Sequence, residues 1–171
     1  MNPQRIAVIG PIGSGKSTLA QRIHRQTQLP LFSMDEILFD KSGEVRSHQE
    51  ILPEIQKIES SPQWIIDGYG PYETILRRLE LADEIHFLQT PLILCAGLIT
   101  LRWFKSALGL RPWGQPVGLS FFKIESIRKS YRTLWQQHQV MHPQLRTWIS
   151  KKKWSSKVKW HKSPFFIDLG S

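Results

Sequence analysis

Short apolar runs alternate with stretches of helical period along most of this chain. "RIAVIG" (5–10) is a compact Ile/Val run closed by glycine and reads as a buried strand. In "KSTLAQRIHRQTQ" (16–28), Leu19, Ala20 and Ile23 share one helical face, with Arg22 and Arg25 elsewhere. "LPLFSMD" (29–35) reads as a second short strand, "QWIIDG" (63–68) as a third and "DEIHFLQ" (83–89) as a fourth. Between them, Ser47 and Glu50 have capping-box spacing, and Ile51, Ile55 and Ile58 continue with helical period around Pro53. "YETILRRLE" (72–80) predicts a short helix, and a long apolar helix is expected from about Pro91, a residue suited to a first helical turn.

Periodicity then breaks. "ALGLRPWGQPVGLS" (107–120) is rich in glycine and proline and reads as a loop. A loop of that length inside a domain suits an active-site lid, placed at about 106–120. Helical pattern resumes in "FFKIESIRKSYRTLWQQH" (121–138) and "PQLRTWIS" (143–150), and "KVKWH" (157–161) predicts a fifth strand. Strand and helix in alternation argue for an α/β fold with a parallel sheet covered on both faces. The 171 residues suit one domain, 1–171.

Charge is divided along the chain. Residues 1–98 hold 9 Lys/Arg and 12 Asp/Glu, whereas residues 99–162 hold 14 Lys/Arg and Glu125 as the one acidic residue. The basic half, with its C-terminal segment at about 151–171, is suited to a phosphate-rich ligand or a polyanion, or to a solvated face. The single Cys95 excludes an intramolecular disulfide and fits a reducing compartment. The N-terminus has no signal-peptide pattern, and "PLILCAGLITLRWF" is too short to span a bilayer, so a cytoplasmic protein without a membrane partner is expected.

The stretch that carries chemistry is "GPIGSGKST". It fits G-x-x-x-x-G-K-[ST] at Gly10, Gly15, Lys16 and Ser17, between a predicted strand and a predicted helix. In such a loop the glycines let the backbone turn its N–H groups inward, and the helix N-terminus adds the positive end of its dipole. Gly10, Pro11, Ile12, Gly13, Ser14, Gly15, Lys16, Ser17 and Thr18 are therefore expected to cradle a nucleoside triphosphate. Lys16 would reach the β- and γ-phosphates, Ser17 would ligate Mg²⁺ and Thr18 would contact the α-phosphate. "DGYG" (67–70) superficially matches D-x-x-G, but no N-K-x-D accompanies it, which disfavours a regulatory GTPase. A small kinase fits the length better.

Groups that orient an acceptor belong at the C-terminal ends of the strands. Asp35 follows the second strand and is a candidate partner for an acceptor hydroxyl, or else a helix cap. Asp67 ends the third strand and is a candidate for the acceptor or a Mg²⁺-bound water, or else a turn residue. Arg102, Arg111 and Arg128 cluster around the proposed lid as candidates to neutralise phosphate charge, with surface cations as the alternative. Arg77 and Arg78 on the short helix are candidates for the acceptor, or else surface residues, and Tyr69 is a further candidate for substrate binding. His138 and His142, four apart, lack the glutamate of a zinc-protease helix, and a metal pair is disfavoured. The tryptophans among the basic residues (Trp103, Trp113, Trp135, Trp148, Trp154) are core or helix-face residues, or else a stacking platform for single strands.

Four segments together carry a family resemblance: "RIAVIGPIGSGKSTLAQRI", "LPLFSMDEI", "WIIDGY" and "LRRLELADEIHFLQTP". Over about residues 4–135 the chain resembles the adenylate-kinase-like P-loop proteins known as DNA topology modulation proteins. The resemblance implies a P-loop three-layer fold, a five-stranded parallel sheet of order 2-3-1-4-5, a lid, ATP and Mg²⁺. Two departures stand out: Gln89 replaces an Asp common at the end of the fourth strand, and Tyr69 directly follows Gly68, which shifts the implied acceptor pocket. The combined expectation is an ATP- and Mg²⁺-dependent phosphotransferase for a small hydroxylated or phosphorylated acceptor, a nucleotide or nucleoside among the candidates. The alternative is a nucleotide-gated nucleic-acid-binding protein that uses the basic, Trp-rich half.

Overall fold

The five expected strands form at Arg5–Ile9 (β1), Leu31–Ser33 (β2), Trp64–Asp67 (β3), Glu84–Leu88 (β4) and Val158–His161 (β5). All pair in parallel, in the order β2-β3-β1-β4-β5, which is the order the resemblance implied. This computed structural model describes residues 3–40, 44–108, 124–150 and 152–162. Most of the proposed lid, with Arg111, lies outside the described residues, as does the end of the basic C-terminal segment.

Helices connect the strands: Lys16–Thr27 (α1), Met34–Leu38 (α2), His48–Glu59 (α3), Tyr72–Leu81 (α4), Leu92–Ala107 (α5), Ile124–Gln136 (α6), His142–Ile149 (α7) and Lys152–Ser155 (α8). A π-helical turn, Gln137–Met141, joins α6 to α7. The capping box is made: the Ser47 backbone N–H donates to Glu50 Oε2 at 3.0 Å and the Ser47 hydroxyl to the same oxygen at 2.7 Å. Pro53 lies inside α3, so that helix runs through the proline.

Alternation along the central strands builds two cores. Ala7 and Ile9 of β1 join Ile66, Ile85 and Phe87 against Ile51, Ile55, Ile75, Leu79, Leu145 and Ile149. Ile6 and Val8 face the other way and pack with Ile65, Leu88 and the Leu19, Ala20 and Ile23 stripe of α1. The strands therefore carry apolar side chains on both faces, as a covered parallel sheet requires. A third cluster joins α5 to α6 through Cys95, Ile99 and Leu134, with Ile12, Trp103 and Tyr131 alongside. Trp103, Trp148 and Trp154 pack against cores, while Trp135 and Trp160 are 57% and 40% exposed. Among the described residues no helix is long and apolar enough to cross a membrane.

Register determines where chemistry gathers. Val8 and Ser33 both stand beside Asp67 in β3, and Ile9 stands beside Phe87 in β4. The segments leaving β1, β2 and β3 thus emerge at one edge of the sheet, the C-terminal edge where ligands bind in open α/β sheets.

Candidate active site

Residues 10–15 wrap from β1 into α1 as a tight loop. Gly13 and Gly15 have φ of +75° and +90°, a region that side chains rarely enter. A Cβ on Gly13 would also lie 2.5 Å from the Cys95 carbonyl oxygen, so α5 closes the loop from behind. Gly13→Ala is expected to destabilise the protein by at least about 1–3 kcal/mol, the cost of the strained backbone before any clash. A thermal melt of the variant checks this.

Three bonds hold the loop's shape. Ser14 N–H donates to Pro11 O at 3.1 Å, the Thr90 hydroxyl donates to Ser14 O at 2.9 Å, and Ile12 N–H donates to Gln137 Oε1 at 2.7 Å. Gly15 caps α1 without a side-chain bond, and the first turn has no acidic residue. The first turn of this 12-residue helix thus adds no negative charge of its own to the positive end of the helix dipole, which suits an anion.

Lys16 is half-buried, and its Nζ donates to Pro11 O at 3.0 Å. Burial lowers its pKa; the nearby charges of Asp67 and Asp35 oppose that shift, and Arg102 adds to it. Asp67 is 3% exposed, and burial raises its carboxyl to about 6 against the pull of Lys16 and a hydrogen bond from the Ser17 hydroxyl. Its Oδ1 is buried without a hydrogen-bond partner among the described residues. A partly desolvated carboxylate oxygen beside a serine hydroxyl at the mouth of this glycine-rich loop is a donor set suited to a Mg²⁺ ion. Ser17 and Asp67 therefore fit the ion.

That raised value has two consequences of opposite sign. A carboxyl whose folded pKa is raised contributes stability that is present below 3.8 and lost as pH rises through about 6. A cation needs the ionised form, so Mg²⁺–nucleotide binding is expected to weaken as pH falls through about 6. Asp67→Asn should flatten the first trend in melts of the nucleotide-free protein and remove the second in titrations.

Asp35 is exposed in the first turn of α2, and its charge acts on both Lys16 and Asp67. Arg102, half-buried near the end of α5, acts on the same pair. Four separate elements thus bring Lys16, Ser17, Asp67, Asp35 and Arg102 to one place. Arg128 is exposed on α6, and the charges felt at Lys16 are those of Asp67, Asp35, Arg102 and Cys95 instead.

Two expectations are corrected by burial. Arg78 is 0% exposed, and its guanidinium is spent within the protein. Nη1 donates to Gly68 O at 2.8 Å and Tyr69 O at 3.1 Å, Nη2 reaches Thr74 Oγ1 at 3.3 Å, and Nε lies 3.5 Å from Glu59 Oε1. It fixes the turn after Asp67 and does not face an acceptor. Tyr69 is also buried, its hydroxyl 3.3 Å from His142 Nδ1, and burial holds its phenol well above the ordinary range. It points into the core of the fold, where His142 stacks on Phe87 at 4.7 Å.

His138 and His142 do come together, with ring centroids 5.8 Å apart, but among the described residues no group of three ligating side chains forms. Burial lowers His142 to about 4, with Lys16 among the charges that add to the shift, so the imidazole is neutral near neutral pH. Thr90 and Gln137 are not among the residues the sequence points to, and His142 enters there as a metal candidate alone. Thr90 has a signal in the sequence, a hydroxyl between a strand end and Pro91. Gln137 has none, since its partner Ile12 is 125 residues away.

No protein-family model and no curated protein sequence matches the chain, so the resemblance to topology modulation proteins gains no support there. Solved structures do resemble it. A gluconokinase from Sinorhizobium meliloti 1021 is 16% identical over 83% of this chain and 97% of that one, with a TM-score of 0.45. Shikimate kinase from Aquifex aeolicus is 16% identical over 95% and 87%, with a TM-score of 0.44. A sugar kinase from Janibacter sp. HTCC2649 is 15% identical over 89% and 97%, also at 0.44. Similarity of this strength leaves the activity of this chain to be argued from its own residues.

Proposed function

We propose that the protein is an ATP- and Mg²⁺-dependent phosphotransferase acting on a small hydroxylated or phosphorylated acceptor. The observation that carries this reading is the convergence at the sheet edge of Lys16 with the Ser17–Asp67 pair, Asp35 and Arg102. The loop amides and the open end of α1 bind the phosphate oxygens. Lys16 leaves Pro11 O and places its ammonium on the β- and γ-phosphates, where charge develops during transfer. Ser17 and Asp67 would hold Mg²⁺, which would supply positive charge against the triphosphate. Arg102, on the helix behind the loop, adds a second fixed cation.

Asp35 is the group left for the acceptor. It is exposed, sits one element away from the phosphate loop and is close enough for its charge to act on Lys16. A carboxylate there orients a substrate hydroxyl and accepts its proton as that oxygen bonds to the γ-phosphorus and the bond from this phosphorus to the β–γ bridging oxygen breaks, leaving ADP.

A screen of nucleosides, nucleotides and small alcohols for acceptor-dependent ADP release tests the reading. Asp35→Asn is expected to lower kcat roughly 100-fold, within the span ordinary for a general base. Equal turnover by the variant and the wild type would remove Asp35 from the acceptor site.

A further inference from the structure

One peptide group in the phosphate loop is held at both ends. The carbonyl of Pro11 accepts from Lys16 Nζ at 3.0 Å, and the N–H of the same peptide bond, on Ile12, donates to Gln137 Oε1 at 2.7 Å. In a trans peptide the C=O and N–H point in opposite directions, so the two bonds lie on opposite sides of one rigid plane. Hydrogen bonds in such a chain polarise one another: an acceptor on the N–H strengthens the carbonyl as a partner for the ammonium.

Gln137 stands at a local irregularity. It is the first residue of the π-helical turn Gln137–Met141, a wider turn inserted between α6 and α7. Such turns are frequent at functional sites. The identity of the donor leaves no ambiguity over the amide's orientation, since a backbone N–H requires the side-chain oxygen.

We infer that Gln137 is a positioning residue for Lys16, acting through the Pro11–Ile12 peptide plane. It keeps the Pro11 carbonyl turned toward the ammonium, and so holds Lys16 in one place at the loop from which it moves to a triphosphate. The inference rests on the reading of Lys16 as the phosphate-binding lysine for its consequence in binding, but not for the geometry itself.

The test separates the two. Amide exchange at Ile12 and solvent exchange of the Lys16 ammonium protons are followed by NMR at one fixed pH in nucleotide-free wild type, Gln137→Met and Gln137→Glu, and MgATP is titrated into each. In Gln137→Met, which has nearly the same shape but no strong acceptor, Ile12 exchange is expected to quicken roughly tenfold. Exchange of the Lys16 ammonium should quicken with it, and MgATP affinity should drop roughly tenfold. Gln137→Glu keeps an acceptor; it should preserve the protection of both Ile12 and Lys16.

A folded Gln137→Met variant with unchanged exchange at both Ile12 and the Lys16 ammonium overturns the inference. So does a Gln137→Glu variant that loses protection at Ile12 or Lys16, a result readable even if Gln137→Met does not fold. Wild type that shows the NMR coupling but does not bind MgATP contradicts the proposed function and leaves the positioning role standing.

Discussion

Lys16→Ala is expected to weaken MgATP binding roughly 100-fold while leaving the fold intact. A hydrogen bond to a charged group contributes about 1.5–3 kcal/mol, and this ammonium would serve two phosphates. A 100-fold loss corresponds to about 2.7 kcal/mol. The variant keeps the loop's other supports, because Ser14, Thr90 and Gln137 bind its backbone without using the lysine. One secondary effect is diagnostic. Lys16 is the largest influence opposing the rise of the Asp67 pKa, so its removal should move that carboxyl above about 6. Calorimetric titration of MgATP, with the pH dependence of melting followed in parallel, checks both.

Arg78→Ala is expected to have the largest effect on stability. Arg78 is enclosed with Glu59, itself 1% exposed, and Arg77 lies 3.4 Å from the other Glu59 oxygen. Burial raises the Glu59 pKa against the pull of both arginines, and burial lowers Arg78 to about 10 against the pull of Glu59. Removing one partner of a buried pair strands the other, at about 3–5 kcal/mol. For a chain of this size that is a fall in Tm of roughly 6–20 °C. Arg78→Lys should not rescue it, because an ammonium lacks the planar fork that reaches Gly68 O, Tyr69 O and Glu59 together. Arg78→Ala combined with Glu59→Gln should recover part of the loss, since the stranded charge is gone. Because Gly68 and Tyr69 directly follow Asp67, weaker Mg²⁺–nucleotide binding should accompany the lower Tm in any Arg78 variant that folds.

The division between what was legible in the sequence and what was not follows the range of the interactions. β1 to β4 could be read because each is a short, largely apolar run with its own turn signals, and the start of α3 because Ser47 and Glu50 are three residues apart. Lys16 and Ser17 open α1 where the contiguous glycine-rich motif predicts a helix start, while Asp67 ends β3 and Asp35 lies two residues beyond β2 in α2. α2 escaped because five residues are too few to show a period beside β2. Arg78 was misplaced because helical spacing says which face a residue occupies but not what covers that face. Here α3 covers it, through Glu59. Gln137 and His142 were invisible as site neighbours, since the π-helical turn beside them has no compositional signature and their partners lie far along the chain, in the turn after β3, in β4 and in the glycine-rich loop.

The destination of the γ-phosphate is the most direct measure of whether this site transfers phosphate to an acceptor. ³¹P NMR of MgATP incubated with wild type, with and without the acceptor pool, follows that phosphorus atom itself. A phosphotransferase gives a new phosphoester resonance that requires both acceptor and Lys16, with ADP formed in equal amount. Release of the γ-phosphorus as inorganic phosphate alone, at the same rate with or without acceptor, would contradict transfer to an acceptor.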